Sequence, residues 1–128
     1  MITLDPVVDG AVAEIRGSFP DATIDVIADG LGGGFVVIDP VDLGPRYSPA
    51  STWLGFHVSP AYPHADVYPH YIARVTRVDG MPHGAAFQPV EWQGREALQV
   101  SRRSNRWNPS RDDAVLKAQK VLTWIGAQ

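Results

Sequence analysis

The sequence predicts a single α+β domain: an N-terminal helix, a four-strand antiparallel meander, a long irregular loop and a C-terminal helix. Two observations predict this plan. An apolar stripe at three- and four-residue spacing recurs at each end of the chain, and two-residue alternation replaces it in between. The length, 128 residues, suits one domain over positions 1–128 with its own core.

Asp5-Pro6 opens the first helix, with Asp in the capping place and Pro at the first helical position. Val8, Ala11, Val12, Ile15 and Phe19 form its stripe, and Gly17 and Pro20 stop it. From Thr23 the period becomes two, with Ile24, Val26 and Ala28 on one face of a first strand. The glycine-rich stretch 29–34 resembles a phosphate loop only superficially. No Lys-Ser/Thr follows it and the next element is a strand, so it is expected to be a hairpin turn.

Phe35–Ile38 reads as the second strand, followed by a loop marked by Pro40, Pro45 and Pro49. Thr52–Val58 alternates again and is the third strand. Pro60, Pro63 and Pro69 exclude regular structure between it and a fourth strand over Tyr71–Val78. Glycines and prolines from Gly80 to Pro109 predict the long loop, with room for a short strand near Ala97–Ser101. Ser110-Arg111-Asp112-Asp113 reads as a capping-box-like start to the last helix. Ala114, Val115, Ala118, Val121, Leu122 and Ile125 form its apolar face, with Lys117 and Lys120 expected on the wet side.

The chain has no cysteine, which excludes disulfides, zinc–thiolate sites and thiol nucleophiles. No apolar run approaches a membrane span and no signal-peptide pattern opens the chain, so a cytoplasmic location is expected. Formal net charge is −3, and its distribution is uneven. Residues 1–94 hold four Lys/Arg against eleven Asp/Glu, whereas residues 95–128 hold seven against three. That asymmetry equips one end of an acidic protein to attract an acidic partner.

Serines are present in loops and caps, but none lies in a G-x-S-x-G elbow. His57, His64, His70 and His83, with Asp66, are the candidate metal ligands. His64 and His70 straddle a proline-broken loop instead of sharing one face, so neither a metal nor a cofactor is expected. The unusual segment is Ser101–Pro109, where Arg102, Arg103, Asn105, Arg106 and Trp107 suit recognition of carboxylate or phosphate. The competing account pairs these arginines with Asp112, Asp113 or Glu96 and uses Trp107 as a core anchor. Nucleic acid is a further candidate ligand for the arginines, disfavoured by the net charge.

The order of motifs resembles the ubiquitin-conjugating (UBC-like) superfamily, in particular its divergent bacterial branches. Gly55-Phe56-His57-Val58 followed by Tyr62-Pro63 and Tyr68-Pro69 is similar to that family's third strand and Tyr-Pro turn. Pro89, Gly94 and Ala97-Leu98 are similar to its active-site stretch, and Trp107-Asn108-Pro109 to its Trp-x-Pro before the next helix. Ala97 then stands where the catalytic thiol would fall, while Gln88 and Val90 replace the His and Asn of the His-Pro-Asn motif. The resemblance therefore implies a non-catalytic member that binds a ubiquitin-like protein, its activating enzyme or a target. The partner-binding residues would be Tyr62, His64 and Tyr68 together with Arg102, Arg103, Asn105, Arg106 and Trp107. The alternative is an active conjugating enzyme whose thiol at position 97 has been substituted.

Overall fold

In the computed structural model, which describes residues 3–128, the first helix α1 spans Pro6–Ser18. Asp5 takes the capping position without a side-chain capping bond. Its backbone N–H instead donates to the Gly32 carbonyl at 2.8 Å, tying the helix start to a distant turn. Val8, Ala11, Val12 and Ile15 are buried, so the helix is held by its packed face, as the stripe predicts.

Four strands follow in meander order: β1 (Thr23–Ala28), β2 (Gly34–Asp42), β4 (Ser51–Val58) and β5 (His70–Ala73). A two-residue strand, β3 (Tyr47–Ser48), pairs outside this sheet with β6 (Thr76–Arg77). The predicted fourth strand over Tyr71–Val78 is thus two strands in two sheets, broken at Arg74-Val75. Pro40 sits in β2, where the register with β4 shifts between Ile38 and Val41; the irregularity carries a residue that cannot donate to a ladder. Between β1 and β2 the glycine stretch is a turn, as expected. Asp29 Oδ1 accepts from the N–H groups of Leu31 (2.7 Å) and Gly33 (3.0 Å), and Gly30 and Gly32 supply φ of 85° and 99°.

The long irregular loop is the main correction. Residues inside it form a hairpin, β7 (Phe87–Trp92) and β8 (Arg95–Val100), closed by Gln93 and Gly94 with φ of 51° and 72°. Two consecutive positive φ values twist the chain as a right-handed strand pair requires. β8 adds to β5, giving a six-stranded antiparallel sheet of order β1-β2-β4-β5-β8-β7. Pro89 is tolerated because β7 is an edge strand.

One sheet face carries the main core. Ile24, Val36, Ile38, Leu54, Phe56 and Ile72 point towards α1 and the second helix, α2 (Ala114–Gly126). Asp113 alone caps α2, its side chain accepting from the Leu116 N–H at 2.8 Å, so the cap is one residue motif and not a capping box. Two buried tyrosines satisfy backbone groups at the ends of this helix. Tyr62 Oη accepts from the Ala114 N–H at 3.0 Å, and Tyr47 Oη donates to the Ile125 carbonyl at 2.7 Å. Burial raises both phenols above their ordinary range, so they remain protonated donors or acceptors at neutral pH.

The opposite face has no helix over it and is closed by aromatic side chains. Trp92 lies parallel to Tyr71 (centroids 4.6 Å) and Trp53 (6.0 Å) and edge-on to Phe35 (6.4 Å). Two small residues make room for it: Ala97, fully buried, and Gly55, where any Cβ would collide with the Trp92 ring. Gly55→Ala is therefore expected to destabilise the protein by about 1–3 kcal/mol through overpacking. Urea titration followed by tryptophan fluorescence measures this, and a change under about 0.5 kcal/mol would show that the indole has room to shift.

Candidate functional site

Lys117 overturns the expected pattern of α2. It lies three residues after Ala114 and four before Val121, on the apolar face, and is only 5% exposed. An ammonium group in such a place needs a partner. Its Nζ donates to both oxygens of Asp66 at 3.0 Å and to Ser104 Oγ at 2.7 Å. Asp66 also accepts from the backbone N–H (2.7 Å) and hydroxyl (3.1 Å) of Ser104. One buried ion pair thus joins α2, the proline-rich turn after β4 and the arginine-bearing loop after β8.

The loop from Ser101 to Asp113 has no regular secondary structure, yet its polar groups are bonded locally. Trp107 Nε1–H donates to the Pro63 carbonyl at 2.7 Å while its ring packs on the main core. Asp112 accepts from the Asn108 N–H at 2.8 Å, and Asn108 from the Ser110 N–H at 2.9 Å. The tryptophan is an anchor, which the competing account of this segment had as its use.

With the loop so held, its arginines stand at a cleft of about 580 Å³ against α2. Arg102, Arg103, Arg106 and Arg111 line it with Lys117 and Lys120, against the single lining carboxylate of Asp112. That carboxylate is taken by the Asn108 amide and by Lys120 at 3.6 Å. Among the described residues no carboxylate forms an ion pair with Arg102, Arg103, Arg106 or Arg111. Their predicted pairing with Asp112, Asp113 or Glu96 does not occur; Glu96 faces Arg74 at 3.8 Å instead. Two of the guanidinium groups rest on aromatic faces, Arg102 over Trp124 (4.6 Å) and Arg103 over Tyr68 (4.8 Å).

The structure therefore brings together Arg102, Arg103, Asn105, Arg106 and, through its ring, Tyr68. It does not bring in the other three candidates. Tyr62 is buried at the start of α2, Trp107 turns into the core, and His64 is exposed on the turn outside the cleft lining. Ser104 and Trp124 are absent from the sequence-based candidates, and Asp66, a candidate metal ligand by its place beside His64, proves to be the partner of Lys117. Arg111, Lys117 and Lys120 were legible as part of the basic excess after residue 95, but nothing in their local sequence shows that they share one cleft.

Ala97 does not lie on a loop. It is in β8 between β5 and β7, with its methyl group in the cluster of Val37 and Trp92. A thiol there would be sealed beneath aromatic rings, beyond reach of a thioester partner. Gln88 and Val90 are likewise strand residues of the β7–β8 hairpin. The resemblance to an active-site stretch thus falls on a strand pair.

The four histidines are scattered. His70 is fully buried, with neither ring nitrogen hydrogen-bonded among the described residues, and burial together with the Lys117 charge lowers it to about 3. His83 Nε2–H donates to the Val75 carbonyl at 2.8 Å. His57 Nε2 meets Asp29 Oδ2 at 2.7 Å on the helix-free face, with Phe35 stacked on its ring at 4.5 Å. Burial pushes the Asp29 carboxyl up, but hydrogen bonds from His57, Leu31 and Gly33 outweigh it and leave it below the ordinary range. Among the described residues no three His, Asp or Glu side chains are grouped to hold a metal, and no helix is long and apolar enough to cross a membrane. The chain matches no protein-family model, no curated protein and no solved structure.

Proposed function

We propose that this chain is a non-catalytic, UBC-like partner-binding protein whose cationic cleft receives an acidic segment of another protein. The observation that carries the reading is the cleft itself: convergent arginines without carboxylate partners, beside a loop pinned by a buried ion pair. Unpaired guanidinium groups aimed at one concavity favour an anionic visitor and cost little to desolvate compared with ammonium groups. The order helix, meander, Tyr-Pro turn and closing helix supports the UBC-like part of the reading, and so makes a ubiquitin-like protein or its activating enzyme the partner to test. The burial of Ala97 beneath Trp92 argues against the alternative of a substituted conjugating enzyme.

The test is capture of partners by the tagged protein from its native host at moderate salt, followed by affinity measurements on the partner recovered. Recovery of a ubiquitin-like or adenylating protein is expected. Its affinity should fall at least about tenfold in the Arg102→Glu/Arg103→Glu variant, with a shallower dependence on salt. Unchanged affinity and salt dependence would remove the cleft from the interaction. Recovery of nucleic acid alone would replace the protein partner with a polynucleotide.

A further inference from the structure

Building on the cationic cleft as the partner site, we infer that its specific ligand is a phosphate monoester, carried by a phosphorylated side chain of the partner segment. Charge density is the first ground. Four guanidinium groups and Lys120 face the cleft, and its one lining carboxylate is already engaged. A side-chain carboxylate brings one negative charge and two oxygens. A phosphate monoester brings nearly two charges and three acceptor oxygens to one point, and so satisfies several convergent N–H donors at once.

The second ground is geometry. Arg102 lies over the Trp124 ring and Arg103 over the Tyr68 ring. A guanidinium lying over a ring keeps its in-plane N–H edge for a ligand, and the ring limits the rotamers that must be frozen on binding. The platforms are themselves fixed. Trp124 belongs to α2 and stacks on Phe87 at 5.5 Å, while Tyr68 follows Asp66 and Val67 on the turn locked by Lys117. The ion pair of Lys117 and Asp66 leaves the floor of the cleft neutral, so the free charge is arginine charge at the walls. Asn105 adds an uncharged amide donor of the kind that completes a phosphate shell.

The third ground separates a local phosphate from a polynucleotide. Residues 1–94 carry eleven acids against four Lys/Arg, so a long polyanion leaving the cleft meets repulsion over most of the chain. A nucleic-acid diester also offers only one charge per phosphate, whereas the cleft concentrates its cations in one place.

Binding of three degenerate peptide libraries to the purified full chain tests this. Each has neutral surroundings and one central residue: phosphoserine, serine or glutamate. The phosphoserine library is expected to bind on the order of tenfold or more tightly than the glutamate library, with serine weaker still. Arg102→Lys keeps the charge but loses the planar fork and the stack; it should weaken phosphoserine binding by a larger factor than glutamate binding, so that most of the phosphoserine preference is lost. Thermal unfolding of that variant, with the arginine exposed, should match the parent and exclude misfolding.

Equal binding of phosphoserine and glutamate peptides would overturn the phosphate assignment and leave the acidic-segment reading standing. Binding of none of the three would remove both. Inorganic phosphate competing as well as the phosphopeptide would show a free-anion site, and tighter binding of a single-stranded oligonucleotide than of the phosphopeptide would assign the cleft to nucleic acid; either result also overturns the inference.

Discussion

Replacing Asp66 by alanine is expected to destabilise the protein by about 3–5 kcal/mol, because it strands a charge inside the fold. Lys117 and Asp66 have side chains 5% and 15% exposed, so bulk water does not replace the lost partner. The ammonium would keep only Ser104 Oγ, and the Ser104 amide would lose its acceptor. Neighbouring Ala118 and Val121 offer nothing polar. The penalty belongs to the broken pair, and an apolar replacement of both partners is often neutral. The double variant Asp66→Ala/Lys117→Met should therefore recover most of the loss, and the coupling read from the double-mutant cycle should be large.

Urea titrations of the parent, both single variants and the double variant at pH 7 supply the cycle. A loss below about 1 kcal/mol for Asp66→Ala would mean that the ammonium reaches solvent or that the pair is not formed. The same substitution bears on function. Asp66 holds the loop that presents Arg102, Arg103 and Arg106, so a variant that remains folded should bind its partner more weakly even though the cleft gains the uncompensated charge of Lys117. Because the pair is buried, its contribution should survive high salt, unlike that of the cleft arginines.

Acidification should weaken the fold well above the range where ordinary carboxylates titrate, and His70 is the cause. Its ring is buried among core residues, tilted against Phe56 at 5.2 Å. Burial and, secondarily, the Lys117 charge lower it from 6.5 to about 3, with Asp66 opposing. Between those two values the unfolded chain binds a proton that the folded chain refuses. Stability contributed by the neutral ring is thus complete above pH 6.5 and is lost as pH falls towards 3. The slope approaches about 1.4 kcal/mol per pH unit, or on the order of 5 kcal/mol across the window. Asp29 works in the same direction but lower down, since its depressed carboxyl loses its contribution only as pH falls below 3.8.

His70→Leu separates the two. Among the described residues neither His70 nitrogen has a partner to lose, so the substitution should cost little at pH 7 and should flatten the stability profile between pH 6.5 and 4. Urea midpoints at pH 7, 6, 5 and 4 for parent and variant decide it. Parallel profiles would show that His70 titrates normally in the folded protein, through an opening of the core that admits water.

Part of this organisation is legible in the residues themselves. The stripe of Val8, Ala11, Val12 and Ile15 marks α1, and alternation over Thr23–Ala28 and Thr52–Val58 marks two strands whose inward residues do line the core. The density of arginine from Arg102 to Arg106 marks the cleft wall. The β7–β8 hairpin is hidden because Pro89 and Gly94 read as loop punctuation. Pro89 is permitted only by its place on a sheet edge, and edge position is a property of the assembled sheet. Gln93-Gly94 between Val90 and Trp92 on one side and Ala97 on the other was the available signal.

Sequence by itself determined the α+β class, the two helices, the meander order and the absence of thiol chemistry, because each follows from local periodicity or from composition. Tertiary structure alone decided where Lys117, Asp66, His70 and Ala97 stand. Lys117 reads as a wet-side residue until Asp66, 51 positions earlier, is seen to neutralise it. Ala97 reads, by resemblance, as an active-site position until Trp92 is found over it. Burial and pairing depend on residues brought together from across the chain, and no local spacing encodes that meeting.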